Sequence, residues 1–309
     1  MLNLQFIINP SAGHGQYKLI INEIKKALSR SNISYDIGIT SFKGEATLLS
    51  QKASKDHDIV VAVGGDGTVH EVINGLIGTN AKLGIIPAGT GNGFAREFNI
   101  PVIVIPQLNI REACNVLLEG HTKSIDIGRA NGQYFTGFAG IGYDALIAKL
   151  AGEMFGPLRG MWIYFISGMI VFNRYKPKIM KVQIDSETIE ILPLVIAIAN
   201  TKRYGGNAFI APNAIPDDGM FDVCVIRYVK SWKVFWNLHK LFTGEHIKLP
   251  YVSMHRGKSV IIQSSEPFPI HLDGEPIDNC NEIQFEIIPN AIKIIVPKEG
   301  GNRDSRFKI

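Results

Sequence analysis

The sequence predicts an α/β N-terminal domain with an open parallel sheet, followed by a larger, strand-rich C-terminal domain of antiparallel, β-sandwich-like build, with an interdomain cleft. Three observations predict it. Strand and helix patterns alternate over the first 100 residues, strands dominate beyond about residue 124, and glycine-rich loops close three of the early apolar runs. Strands that alternate with helices need right-handed crossovers, which put helices on both faces of a parallel sheet.

Each element can be justified in turn. "LQFIINP" is a short apolar run closed by Asn-Pro, and "YKLIINEIKKALSR" carries Ile20, Ile24, Ala27 and Leu28 at helical spacing. "SYDIGIT" reads as a strand, "EATLLSQKAS" as a helix, "DIVVAVGG" as a fully buried strand, "VHEVINGLIG" as a helix and "KLGIIPAG" as a further strand. In "SIDIGRANGQYFTGF" two strands flank Asn131-Gly132, a strong hairpin signal. A helical insert follows, and then "KIMKVQID", "TIEILPLVIAIAN", "FDVCVIRYV", "SVIIQSS", "FPIHLDG", "EIQFEIIP" and "AIKIIVP" read as strands. No internal repeat interrupts this order.

Composition narrows the function classes. With 309 residues, 46% hydrophobic and 19% charged, the chain can build two ordinary cores, and a net charge of +4 is far from the dense basic surface that nucleic acid requires. No nucleic-acid partner is expected. Cys114, Cys224 and Cys280 are widely spaced and fit neither a disulfide framework nor a zinc site, which favours a reducing, cytoplasmic setting. The start "MLNLQFIINPSAG" has no basic, long-apolar export pattern, and the longest apolar run, Met161 to Phe172, falls short of the roughly 20 residues that span a bilayer.

The chemistry is concentrated in the glycine loops: "NPSAGHG" at Asn9 to Gly15, "GGDGT" at Gly64 to Thr68 and "PAGTGNG" at Pro87 to Gly93, each at the C-terminal end of a buried strand. That edge of an open α/β sheet is where ligands bind. Glycine lets backbone N–H groups approach an anion, and a following helix N-terminus adds partial positive charge. Asp66 would repel a polyphosphate unless a divalent cation lay between them, so a magnesium nucleotide is the expected ligand; for any one loop, a plain tight turn is the alternative. Neither a GxxxxGK[ST] nor a GxGxxG pattern is present.

The segments "NPSAG", "TSFKGEA", "GGDGTVHEVINGL", "PAGTGNGFAR", "IDIGRANGQYFTGFAGIGYDA", "PDDGMFDV" and "LDGEP" appear in the order of a known family. Together they make the chain resemble the diacylglycerol-kinase-like lipid kinases, particularly the bacterial soluble ones related to sphingosine and ceramide kinases. The resemblance implies an ATP-dependent enzyme that phosphorylates a lipid hydroxyl. It implies that ATP meets Asn9, Thr40, the run Gly64, Gly65, Asp66, Gly67, Thr68 and Glu71, and Gly89, Thr90 and Asn92. It divides the chain into a nucleotide-binding domain over residues 1–124, completed by 297–309, and a lipid-substrate domain over 125–296. A homodimer is compatible with this reading.

The acids carry the rest. Phosphoryl transfer to an alcohol needs a proton acceptor, and Asp273 and Glu275 flank Gly274 at a strand end; a solvated acidic turn is the alternative, and the sequence does not choose between the two acids. Asp126 lies between apolar residues, and the resemblance implies that it joins Asp66 in a water-bridged Mg²⁺ network; a core aspartate capped by amides is the other reading. In "AIPDDGMFD" the resemblance implies a structural Mg²⁺ on the carbonyls of Ile215 and Met220 and the side chain of Asp218, against a plain hairpin turn. Gly93 stands where many diacylglycerol kinases have Asp, which removes one carboxylate from the expected network.

A lipid substrate calls for an apolar cavity in the strand-rich half and for peripheral membrane contact. "YVKSWKVFWNLHKLFTG" mixes Trp232, Phe235, Trp236 and Leu238 with Lys230, Lys233, His239 and Lys240, a composition suited to a membrane interface, though core packing explains such runs too. Two rivals remain open: a soluble-substrate kinase of the NAD kinase type, which shares GGDGT, and a non-catalytic nucleotide-binding, membrane-associated protein.

Overall fold

The computed structural model describes residues 2–102, 110–155, 161–172, 175–205, 208–229 and 232–298. The chain divides into two compact units, Met1–Ser124 with Ile292–Ile309, and Ile125–Ala291.

In the first unit, β1 (Asn3–Ile8), α1 (Tyr17–Leu28), β2 (Ser34–Ile39), α2 (Glu45–Ala53), β3 (Ile59–Gly64), α3 (Asp66–Leu76) and β4 (Lys82–Pro87) alternate as the sequence predicts, followed by α4 (Gly93–Glu97) and α5 (Ile110–Glu119). The strands are parallel in the order β2-β1-β3-β4. Strand β3 is buried along its whole length, as a strand covered on both faces must be. Leu4, Phe6, Ile8, Ile59, Val61 and Val63 share one core with Ile20, Ile24 and Leu28 of α1 and with Ala113, Cys114 and Leu117 of α5. The opposite face is covered by α2 and α3, whose backbones approach so closely at Gly75 that a Cβ there would collide with Ser50 Oγ and the Thr47 carbonyl.

Among the described residues, the second unit combines antiparallel strands with four α-helices. Chain order gives β5 (His121–Ala130, which begins in the first unit), β6 (Gln133–Phe135), β7 (Phe138–Gly142), α6 (Tyr143–Phe155), α7 (Met161–Phe172), β8 (Met180–Ile184), β9 (Glu187–Ile191), β10 (Pro193–Ala199), β11 (Arg203–Gly205), β12 (Ala208–Phe209), β13 (Phe221–Arg227), α8 (Trp232–Asn237), α9 (Lys240–Thr243), β14 (Val252–Gly257), β15 (Ser259–Leu272) and β16 (Glu275–Val296). The hairpin at Asn131-Gly132 is present, with both residues at positive φ and Ala130 opposite Gln133. "SVIIQSS" and "FPIHLDG" are one strand, not two: β15 pairs with β8 through Val260–Gln263, breaks register between Gln263 and Phe268, and pairs with β7 through Ile270–Leu272. Such an irregularity lets one strand serve two partners at a sandwich corner. Phe135 stacks on Phe221 at 5.7 Å and meets Phe285 edge-on at 6.1 Å inside the core these strands enclose.

Strand β16 likewise joins two predicted strands, and its last residues return to the first unit, where Ile294 pairs with Leu83 of β4 in parallel. By its packing the second unit ends at Ala291. Residues 299–309, the larger part of the segment expected to complete the first domain, lie outside the described residues. Among the described residues, no helix is long and apolar enough to cross a membrane.

Two expectations follow. Gly75→Ala gains helix propensity but overpacks the α2–α3 crossing, so a net loss of about 1–2 kcal/mol is expected in urea denaturation. Burial pushes the Cys114 and Cys224 thiols up to about 12, while Cys280 is partly exposed. A thiol reagent at mildly alkaline pH should therefore label Cys280 in the native protein and reach Cys114 and Cys224 only after unfolding.

Candidate active site

The four parallel strands of the first unit end level with one another. Ile8 is opposite both Ile39 and Val63, and Gly64 is opposite Pro87, so Thr40, Asn9, Gly65 and Ala88 emerge along one edge. In the order β2-β1-β3-β4 the chain leaves β1 toward one side and β3 toward the other, the kind of switch point at which open α/β sheets bind ligands. The glycine loops lie there and are tied together. The Asn9 side-chain amide donates to Thr68 Oγ1 (3.2 Å), the Gly13 N–H donates to the Ala88 carbonyl (2.8 Å), and the Ala88 N–H donates to the Gly64 carbonyl (2.8 Å).

The closest approach is glycine against glycine. A Cβ on Gly65 would lie 3.2 Å from the Gly89 Cα, and one on Gly89 would collide with the Gly65 Cα. Any side chain at either position would prise the GGDGT and PAGTG loops apart. Gly67, by contrast, faces open space. Helix α3 begins at Asp66 with no side-chain cap on its first N–H groups, an arrangement suited to an anion.

The acids of this unit have structural partners. Asp66 Oδ2 accepts the Gly93 N–H (3.1 Å) and Oδ1 the Phe94 N–H (3.0 Å), so its carboxylate caps the short helix α4 from 27 residues away. Gly93, read from sequence as a missing carboxylate, is thus a donor to the carboxylate that remains. Glu71 accepts the Ala46 N–H (3.2 Å) at the start of α2. Asn92, 2% exposed and at positive φ, uses its amide to close the loop on Gly89, accepting that residue's N–H at 2.9 Å and donating to its carbonyl at 2.6 Å. Thr40 is buried and bonded to the Ile8 carbonyl at the end of β2.

In the second unit, Asp126 is 1% exposed and its carboxylate accepts the N–H groups of Gly219 (2.7 Å) and Asn290 (2.8 Å). It takes the form of a core aspartate capped by amides. Asp218 pairs with Arg256 and accepts the Met220 N–H (3.1 Å), while the Arg256 Nε lies 3.6 Å from the buried Asp222. Burial raises the Asp222 carboxyl above the usual carboxylate range, Arg256 opposes the shift, and Asp218 adds to it. On the Ile215, Asp218 and Met220 loop the Asp218 carboxylate is thus shared between the Arg256 guanidinium and the Met220 N–H.

Asp273 and Gly274 form a two-residue hairpin loop, both at positive φ, with Leu272 opposite Glu275. This is the chemistry of a type I′ turn, for which Asp-Gly is a preferred pair. The Asp273 carboxylate accepts the Thr136 N–H (2.7 Å) and Thr136 O–H (2.9 Å) on Oδ2, and the Gly137 N–H (2.8 Å) and Phe138 N–H (3.0 Å) on Oδ1. Sequence reasoning missed Thr136, Arg256, and the buried pair of Asp144 with His271. A signal for the last was present, an aspartate inside the apolar run "GIGYDALIA". Two open cavities, of about 480 and 340 Å³, are lined by His57, Asp58 and Lys82 and by Asp185, Glu187 and Arg256 respectively, and neither is the apolar chamber expected for an acyl chain.

Comparison with known proteins decides the lineage. Residues 3–130 match the family described as diacylglycerol kinase catalytic domain, and residues 137–296 match the YegS C-terminal NAD kinase beta sandwich-like domain. The chain belongs to the diacylglycerol kinase family. It is similar to a diacylglycerol kinase of Staphylococcus haemolyticus (strain JCSC1435), 30% identical over 97% of this chain and 90% of that one. A diacylglycerol kinase of Mycobacterium tuberculosis (strain ATCC 25618 / H37Rv) is 31% identical over 95% of each. Two solved structures from Bacillus anthracis str. Sterne share the fold: one at 27% identity with a TM-score of 0.78, covering 95% of this chain and 97% of that one. The other, titled as diacylglycerol kinases, has a TM-score of 0.73 at 24% identity over 95% and 96%. As a member of this family the protein is a kinase, and both the recognition and the two-part fold read from sequence are borne out.

Asp66→Asn replaces an acceptor with an amide whose nitrogen faces the N–H groups of Gly93 or Phe94. Loss of this cap should cost about 1 kcal/mol in denaturant unfolding. Amide exchange at Gly93 and Phe94 should accelerate together, while the β3 amides stay protected.

Proposed function

We propose that this kinase transfers the γ-phosphoryl group of ATP to a hydroxyl of a membrane lipid, diacylglycerol or a related lipid. The observation that carries the reading is the closure of three glycine loops at level strand ends, sealed by Gly65 against Gly89 and facing an α3 N-terminus without a side-chain cap. A side chain at either glycine would prise apart the loops that form the cradle for a triphosphate. Asn9, Thr68 and the backbone of residues 65–68 and 89–91 hold the nucleotide in this reading, which makes the first unit the nucleotide domain and the second the lipid domain.

The donor set at the loops fits Mg²⁺ in part. Asp66 is an exposed carboxylate with one N–H on each oxygen, which leaves lone pairs for a hard cation that draws its other ligands from phosphate and water. Bound with ATP, the ion supplies charge neutralisation of the phosphates. Asp126 and the residue 215–220 loop act in this reading as structural anchors.

The proton acceptor is Asp273. The backbone N–H groups of Thr136, Gly137 and Phe138 are fixed and orient the carboxylate, whereas the Thr136 hydroxyl can rotate. A lipid hydroxyl can take the place of Thr136 O–H on Oδ2, one O–H donor exchanged for another at little cost. Peripheral membrane contact is supported by Trp236, 73% exposed, and by exposed Phe242, with Lys233 and His239 nearby in sequence.

The deciding experiment incubates purified protein with labelled ATP, Mg²⁺ and a total lipid extract, beside a parallel sample containing NAD, with products identified by mass. Label in a phosphorylated lipid supports the reading. Label in NADP would favour the soluble-substrate alternative, which the beta sandwich-like match keeps in view. Asp273→Asn should lower kcat by about a hundredfold or more, whereas Thr136→Val should retain turnover within roughly threefold. If Glu275→Gln abolishes transfer and Asp273→Asn does not, the acceptor assignment moves to Glu275.

A further inference from the structure

The turn that presents Asp273 rests on a buried polar chain that the reaction described above does not use. His271 is 1% exposed and Asp144 7% exposed. His271 Nε2 lies 3.3 Å from Asp144 Oδ2, and the Gly274 N–H donates to His271 Nδ1 at 3.2 Å. A neutral imidazole offers one donor and one acceptor. Because an amide N–H can only donate, Nδ1 is the acceptor, the ring proton is on Nε2, and it is directed at Asp144. Asp144 Oδ2 also accepts the Tyr204 O–H (2.7 Å), and Oδ1 accepts the Ala145 N–H (2.9 Å).

The surroundings are shaped for this pair. His271 is opposite Gly140 on β7, and a Cβ at Gly140 would collide with both Asp144 Oδ2 and His271 Nε2. Phe138 stacks on Tyr204 at 4.4 Å and meets the His271 ring edge-on at 5.3 Å, while its own N–H is one of the donors to Asp273. Chemistry-bearing groups thus reach the turn from two directions, amides 136–138 onto the Asp273 carboxylate and His271 onto the Gly274 amide.

We propose that Asp144 and His271 are positioning residues for phosphoryl transfer: Asp144 fixes the Nε2–H tautomer of His271, and the Nδ1 acceptor so created holds the Gly274 peptide and with it the direction in which Asp273 and Glu275 project. The inference rests on the kinase reading given above. Neither side chain exchanges a proton with substrate. With the opposite tautomer, an Nδ1–H would face the Gly274 N–H, donor against donor, and the turn would have to rotate.

The test uses the full chain. Nitrogen-15 spectra of the histidine rings should show His271 as the Nε2–H tautomer, and Asp144→Asn should shift it toward a mixture. The Gly274 amide should exchange slowly in the wild type and quickly in His271→Leu. His271→Leu should lower kcat by about tenfold to a hundredfold, the range expected when a reacting group is displaced, with KM for ATP changed far less. His271→Asn, whose Oδ1 replaces Nδ1 as acceptor, should recover much of the loss. An Nδ1–H tautomer in the wild type overturns the proposal, as does a folded His271→Leu protein with wild-type turnover and a protected Gly274 amide. If the wild type phosphorylates no lipid, the kinase reading falls separately, and the ring spectrum with the Gly274 exchange still decides whether this pair holds the turn.

Discussion

The contact between Gly65 and Gly89 is the constraint on which the rest of the first unit depends. Two strand-end loops meet backbone to backbone, and their separation is set by the absence of two Cβ atoms. Everything at that edge follows from it. Asp66, just past the contact, reaches the N–H groups of Gly93 and Phe94, Asn92 folds the third loop onto Gly89, and Gly13 brings the first loop to Ala88. The level strand ends that make this convergence possible come from the parallel register of four buried strands, so core and candidate site are one piece of geometry.

A second regularity runs through both units. Asp66, Glu71, Asp126, Asp218 and Asp273 each accept at least one backbone N–H from a segment that the local chain leaves unpaired. Carboxylates suit this work, because an ionised acceptor takes several N–H donors and makes stronger hydrogen bonds than a neutral one. Asp273 accepts the N–H groups of three successive residues, 136–138, together with the Thr136 hydroxyl. In the function proposed above, an acid's structural and chemical duties are therefore not alternatives. The amides that anchor Asp273 also aim it, and the rotatable Thr136 hydroxyl is what distinguishes this carboxylate from the closed pair of amides on Asp126.

Much of this was legible in the sequence. The alternation of strand and helix in the first 100 residues gave the parallel sheet, and Asn131-Gly132 gave the first hairpin, because local periodicity and turn chemistry act within a few residues. The long strands β15 and β16 were legible only in halves. The break at Gln263–Phe268 looks like an end in sequence, yet partners on both sides hold β15 in extension through it, and β16 runs on from Glu275 to Val296. The partners of the acids were hidden for a similar reason: Asp126 meets an amide 164 residues away, and Asp273 meets amides more than 130 residues away.

What the sequence determined by itself was the kind of element at each stretch, the glycine loops at strand ends and the family to which their order belongs. Those features are encoded by neighbours along the chain, where glycine, apolar spacing and Asp-Gly pairs act directly on the backbone. Tertiary structure alone decided which oxygen meets which N–H: that Asp66 caps α4, that Arg256 pairs with Asp218, and that His271 sits between Asp144 and Gly274. Hydrogen bonds are specified to a few tenths of an ångström, and only the packing of whole strands and helices brings distant atoms within that range.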